Sequence, residues 1–288
     1  MRHSTALCVT ALALLTACGG GKIVSPSPAA PTSSPIAEAP ASFAPIPLSA
    51  QITEAKACDI PLFELPDRLT TSTPETEGDQ GLFLFAQIPE ADISLYGIGN
   101  NYTEDYILLR KGDTLTAYDL YWRTPRRCIP KLHYGDFDGD GELELLLLTY
   151  TGSGTGVSIW TLTVFDPEGD SWTALTLSEA DWEDALTPLL SCTHTENHQA
   201  SLDFGEEHIS IDLTDCVDDE IPLVPYVGPI VDYTVSGDTV TAILAVGLFQ
   251  EDHIGYTNYY VADLSVPLIY NGECFSILSP TLSADPIS

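Results

Sequence analysis

Past Lys131 the sequence contains no lysine or arginine, although 28 of its 42 acidic residues lie there. All ten basic residues fall in the first 131 positions, and the formal net charge is −32 over 288 residues. A polyphosphate partner needs a basic surface to displace its counterions, so this composition argues against nucleic acid. Methionine is as scarce: Met1 is the only one, which excludes an adaptable Met-lined groove. No Cys-x-x-Cys pair occurs, so no zinc–thiolate knuckle is expected. No Gly-x-Ser-x-Gly elbow occurs either, which leaves an α/β-hydrolase nucleophile unsupported. Nor does any apolar run reach the ~20 residues of a membrane-spanning helix. Leu143 to Leu148 is interrupted by Glu144 and has the length of a strand. The βαβ alternation of doubly wound sheets and two-lobed solute-binding folds is also missing.

What remains is enough to fold. With 44% hydrophobic and 9% aromatic residues the chain can bury a core. The acidic C-terminal half has no internal counter-charge and repels itself, unless its carboxylates are spread over solvated surface or held by bound cations.

The first 17 residues have the three parts of a secretory signal: a positive start at Arg2, an apolar run from Thr5 to Leu15, then small residues. The run ends Leu15-Thr16-Ala17-Cys18-Gly19. This resembles the lipobox of bacterial lipoproteins, which implies cleavage before Cys18 and a diacylglyceryl thioether on that cysteine. The alternative is an ordinary signal peptide with a cysteine near its cleavage site. Two acyl chains, at ~0.8 kcal/mol per buried methylene, hold a protein to a membrane without any spanning helix. The expected location is therefore the bacterial cell membrane, lipid-anchored and facing the extracytoplasmic side. Residues 18–50 follow as a linker; positions 19–50 hold seven Pro, six Ser and seven Ala, with no apolar periodicity. Proline favours extended polyproline II, so this reads as a stalk.

Residues 51–288 read as one β-rich extracytoplasmic domain, with a possible sub-boundary near 214–228. Loss of the signal and lipidation of Cys18 leave Cys58, Cys128, Cys192, Cys216 and Cys274, an odd number. Cys192 and Cys216 flank an expected hairpin and are candidates for a disulfide, with buried thiols as the alternative. Strand runs pair across turns at Lys111-Gly112-Asp113, Gly205-Glu206-Glu207, Ser236-Gly237-Asp238 and Asn271-Gly272. One helix is expected after Ser178, with Asp181 completing a capping box and Trp182, Ala185, Leu186 and Leu189 on one face. Pro188 limits it. The expected fold class is mainly β, built of antiparallel hairpins in a partly propeller-like or sandwich-like arrangement, with one short α-helix.

The stretch richest in chemistry is Asp136-Phe137-Asp138-Gly139-Asp140-Gly141-Glu142-Leu143-Glu144. Carboxylates at alternate positions with glycines between let the backbone curl until the side chains converge. Calcium takes six to eight hard oxygens at roughly 2.3–2.6 Å. Asp136, Asp138 and Asp140 would supply side-chain oxygens, Glu142 its backbone carbonyl, and Glu144 the closing carboxylate. An EF-hand does not fit, because its twelfth position must be acidic and here it is Leu147. With the last acid at the ninth position and a strand running on, the loop resembles those of FG-GAP and VCBS repeats, which integrin α-subunit propellers place between strands. The resemblance covers Leu132 to about Trp160 and implies that Asp136, Asp138, Asp140, Glu142 and Glu144 are calcium ligands. The family repeats its loop several times. Here there is one good copy, with a poor echo at Asp166–Asp170, which counts against a full propeller. The alternative is an acidic turn that binds no ion.

Other candidates read more simply. Gly152 to Gly156 is a strand connection rather than a phosphate loop, since neither lysine nor helix follows. His194-Thr195-Glu196-Asn197-His198 reads as a loop and lacks the acid placement of a zinc protease. Arg123, Arg126, Arg127 and Lys131 are expected to pair with the chain's own carboxylates. Asp181, Glu183 and Asp184 near Trp172 and Trp182 form a glycosidase-like set on paper, with a solvated helix face as the simpler reading. The acids at 215–220 are a candidate second, looser cation site. The expectation is a cell-surface lipoprotein with a calcium-stabilised domain, a non-catalytic module that binds an unknown protein or glycan or supports the envelope. The alternative is a calcium-dependent envelope hydrolase acting on polysaccharide or peptide.

Overall fold

The computed structural model describes residues 45–70, 81–99, 106–124, 128–168, 171–195, 198–213, 223–250 and 259–284. Cys18 with the signal segment, most of the stalk, Arg126, Arg127, Glu196, Cys216 and the acids at 215–220 lie outside them. Among the described residues the fold is mainly β with antiparallel sheets, one short α-helix and no closed barrel. No helix among the described residues is long and apolar enough to cross a membrane.

Three short strands come first: β1 (Ile46–Leu48), β2 (Gln51–Thr53) and β3 (Ala55–Ala57). Then β4 (Gly81–Ile88), β5 (Ile93–Gly99), β6 (Tyr106–Lys111) and β7 (Thr114–Tyr118) run as hairpins and, with β3, form a five-stranded antiparallel sheet in the order β3-β7-β6-β5-β4. The central hairpins are β8 (Lys131–Gly135), β9 (Glu144–Gly154), β10 (Val157–Glu168) and β11 (Ser171–Leu177). Helix α1 (Glu179–Leu186) follows, then a separate three-stranded meander of β12 (Leu190–His194), β13 (Gln199–Phe204) and β14 (Glu207–Asp212). The chain returns through β15 (Leu223–Ser236), β16 (Thr239–Gln250), β17 (Tyr259–Tyr270), β18 (Phe275–Ile277) and β19 (Thr281–Ser283).

Eleven of these strands make one large sheet. Among the described residues its only parallel contact is short, with Ser158 and Ile159 of β10 facing Ile230 and Val231 of β15. β1 closes one edge against β18, so a strand forms inside the span expected to be linker. β15 begins inside the proposed sub-boundary and runs on past it, yet pairs into the same sheet as β10.

The unbroken leucine run of β9 now has a physical reason. Leu145 and Leu147 point into a core shared with the five-stranded sheet, where Phe85, Leu95, Ile107 and Trp122 meet them. Leu146, Leu148 and Tyr150 point the other way, toward β15–β17 and α1. A strand covered on both faces reads as continuous hydrophobe rather than as alternation. Each buried leucine contributes ~1.5–3 kcal/mol of transfer free energy. A hydrogen bond ties the two layers: the buried Tyr118 hydroxyl donates to the Trp172 carbonyl at 2.9 Å, and its ring meets Phe165 edge-on at 4.8 Å. Burial pushes that hydroxyl up to about 12. The arrangement is the layered, sandwich-like one rather than the propeller-like one.

Three local expectations change. Asp181 Oδ2 accepts from both the N–H and the hydroxyl of Ser178, at 2.6 and 2.7 Å, so α1 starts where its cap predicts. It ends at Leu186, because Pro188 turns residues 187–189 into a 3-10 turn and leaves Leu189 41% exposed instead of on the buried face. His194 is on a strand, β12, rather than in a loop, because it pairs with Ala200. Among the described residues neither Arg123 nor Lys131 pairs with a carboxylate. Arg123 lies over the Tyr121 ring, and Lys131 lies 4.4 Å from the centre of Trp160. No disulfide joins Cys58, Cys192 and Cys274 among the described residues.

Candidate metal centre

The nine-residue loop bridges β8 and β9, antiparallel neighbours that end at the pair Gly135 and Glu144. Its curl is written in side-chain-to-backbone hydrogen bonds. Asp136 Oδ1 accepts the N–H of Gly139 at 2.7 Å, Asp138 Oδ1 that of Asp140 at 3.0 Å, and Asp140 Oδ1 that of Glu142 at 2.7 Å. These turns close locally because a short carboxylate reaches a backbone N–H two or three residues on. Gly139 and Gly141 sit at φ of 80° and 95°, where any side chain is strained, and this accounts for glycine at both.

Asp136, Asp138 and Glu144 form a group whose ligand oxygens lie within 4.8 Å of one another. Two oxygens bound to one calcium at roughly 2.3–2.6 Å can be no more than about 5 Å apart, so the spacing fits that ion. The donor set is all hard oxygen, and each carboxylate keeps a second oxygen beyond the one that holds the loop. Asp140 and Glu142 are exposed, and their side chains stand outside this group of three.

Glu144 differs from the rest because it opens β9 and is only 1% exposed. Its Oε2 accepts the Phe137 N–H at 2.6 Å. Burial pushes its carboxyl up to about 7 against that hydrogen bond, and the charges of Asp138, Asp166 and Asp136 push the same way. No described lysine, arginine or histidine pairs with Asp136, Asp138 or Glu144. A divalent cation here would balance like charges crowded together and hold the loop against the sheet.

Asp166, known from the sequence only as part of the poor echo, belongs to the same neighbourhood. It lies on β10 one residue past Phe165, which pairs with Leu145 of β9. The Tyr270 hydroxyl donates to Asp166 Oδ2 at 2.6 Å, with the Gly272 carbonyl at 3.0 Å. Burial, then the Asp166 bond and nearby charges, drives that phenol far above its ordinary value. A methyl group on Gly272 would sit 3.0 Å from Asp138 Oδ2, so the Asn271-Gly272 turn closes directly over the loop. At the other flank, a methyl on Gly135 would meet Asp238 Oδ1 at 2.6 Å. Counting outward from the Thr155-Gly156 turn was the one sequence signal able to set Asp166 near Glu144. Nothing local marks Tyr270 or Asp238.

The other candidates do not converge. Trp182 is fully buried and its Nε1 donates to the Tyr233 hydroxyl at 2.9 Å, while Trp172 is buried between the layers, so neither ring is open to a sugar. His194 and His198 lie on a strand and a turn, outside any metal-ready group among the described residues. No family model, no curated protein and no solved structure matches this chain.

Proposed function

We propose that this chain is a lipoprotein tethered through Cys18 to the bacterial cell membrane. Its β-rich extracytoplasmic domain is stabilised by calcium and serves as a non-catalytic module that binds a ligand or supports the envelope. The observation that carries the metal reading is the convergence of Asp136, Asp138 and Glu144 on one point at the β8–β9 junction. When bound, calcium would neutralise these carboxylates; Asp140 and the Glu142 carbonyl complete the set that the loop's resemblance implies. The chain's own part is to preform the curl through its backbone hydrogen bonds and to close it with the turn at Gly272. The tether is supported by the run from Leu15 to Cys18 after a short apolar segment.

Thermal melting of the detergent-solubilised full-length chain tests the metal. Calcium should raise the melting temperature, EDTA should reverse the rise, and Asp138→Asn should abolish most of it. Equal melting with and without calcium in the wild type would sink the metal reading. For the tether, mass spectrometry should find a diacylated N-terminal Cys18, and Cys18→Ser should leave the membrane fraction.

A further inference from the structure

The inner face of β9–β11 changes character along its length. Under the five-stranded sheet it is apolar, with Leu145, Leu147, Phe165, Trp172 and Ala174. Farther along the same strands, side chains of the same parity become Thr149 and Thr151, Thr161 and Thr163, then Thr176. Thr149 faces Thr161 across the ladder, and Thr163 faces Thr176, which in turn faces Gln51 of β2. Strands about 4.8 Å apart thus carry rows of hydroxyl groups. Thr149 and Thr163 are only 2% and 1% exposed. Hydroxyls placed where leucine would pack give up apolar burial, which calls for a compensating role.

These threonines floor a cavity of about 470 Å³, inside the range of roughly 300–1,000 Å³ usual for small-molecule sites. Its rim carries Gln51, Asp119, Tyr121 and Glu179. The hydroxyls are preorganised in pairs, Thr151 with Thr161 at 2.9 Å and Thr163 with Thr176 at 3.0 Å. A hydroxyl has one donor and two acceptor sites, so each pair retains hydrogen-bonding capacity after satisfying itself. Tyr121, 39% exposed, offers a ring at the mouth, held by the Arg123 guanidinium that stacks on it and donates to its hydroxyl. Asp119 is ion-paired to Lys56 at 3.3 Å, and burial, with Glu183 adding, raises the Glu179 carboxyl above its ordinary value. The lining itself holds two carboxylates and no lysine or arginine, and the cations beside it are engaged, Lys56 by Asp119 and Arg123 by Tyr121, so the cleft offers an anionic ligand no dedicated cation.

We propose that this cleft binds a neutral saccharide, with the threonine rows, Gln51 and Glu179 bonding its hydroxyl groups and Tyr121 covering an apolar face of a sugar ring. The assignment rests on the binding-module reading, whose ligand class it names, but not on the metal loop, which lies on the opposite face of β9.

Titration calorimetry on the detergent-solubilised full-length chain tests it, with maltotriose, cellotriose and N-acetylchitotriose as neutral probes and trigalacturonate as the anionic one. At least one neutral trisaccharide should bind saturably with a Kd below about 1 mM, and trigalacturonate should not bind. Thr161→Val should weaken that binding tenfold or more, with the melting temperature lowered by no more than about 4 °C for the lost Thr151 partner. Tyr121→Ala, at the exposed rim, should do the same and covers the case in which the threonine variant folds poorly. The proposal is overturned if no neutral trisaccharide saturates, if trigalacturonate binds as tightly, or if both variants bind like wild type. EDTA and Asp138→Asn should leave saccharide binding intact, so failure of the metal reading and failure of this one are separate results. Release of new reducing ends would support the saccharide assignment and replace the non-catalytic part of the reading with hydrolysis.

Discussion

Strands β9 and β10 carry two polar stations, and the two are built on opposite principles. At one end Glu144 and Asp166 join Asp136 and Asp138 on the face toward β15–β17, all of one charge sign. Some five residues along, on the other face, Thr149, Thr151, Thr161 and Thr163 gather with no charge among them. Hydroxyls both donate and accept, so they satisfy one another in pairs without any counter-charge. Carboxylates only accept, so a cluster of them must borrow donors or a cation. Backbone N–H groups supply part of that at Phe137, Gly139 and Asp140. The phenol of Tyr270 supplies another part. The lesson is that hydroxyls meet one another's hydrogen-bonding needs and give up only apolar burial, whereas like charges at a strand junction need donors or a cation to offset them.

The comparison can be broken at several places. The strongest blow falls between the stations, at Leu147, which is fully buried and faces Thr163. Leu147→Ala should destabilise by about 2–5 kcal/mol, measured by urea titration, and the loss should be the same with calcium or EDTA. Next comes the acidic station itself. Calcium at a hundredfold its Kd should add ~2.7 kcal/mol in the wild type, and Asp138→Asn should reduce that increment to near zero in the same titration. The hydroxyl station should respond without reference to metal. Thr163→Val should cost ~1 kcal/mol, because it leaves the Thr176 hydroxyl without its partner, whereas the double change with Thr176→Val should cost less than the two single changes summed. The smallest effect belongs to the surface pair Lys56–Asp119, whose side chains are 51% and 67% exposed. Lys56→Ala should leave the melting temperature within error, as exposed ion pairs do.

Much of this was legible in the chain. Turn residues marked the hairpins β6–β7, β13–β14, β15–β16 and β17–β18, since Gly at positive φ and Asn-Gly leave few other options. Ser178 and Asp181 marked the start of the helix because a capping box is a contact between residues three apart. The spacing of Asp136, Asp138 and Glu144 was legible for the same reason: the curl closes on itself. What escaped was non-local. Leu189 looked like part of a helix face until the Pro188 turn carried it to the surface. Ile46–Leu48 looked like stalk because its strand partner is β18, some 230 residues away. The threonine rows were not legible, because β-propensity does not say whether the face a residue occupies is covered.

The sequence alone therefore determined the mainly β class, the single capped helix, the curl of the acidic loop and the location of every basic residue before position 132, since each depends on neighbours or on counting. Only the tertiary structure decided that β9 lies between two layers, that Asp166 and the Tyr270 turn join the loop, and that the hydroxyl rows line a cleft. Those facts follow from strand register and layer stacking, and register is settled by which faces bury together rather than by any residue's own preference.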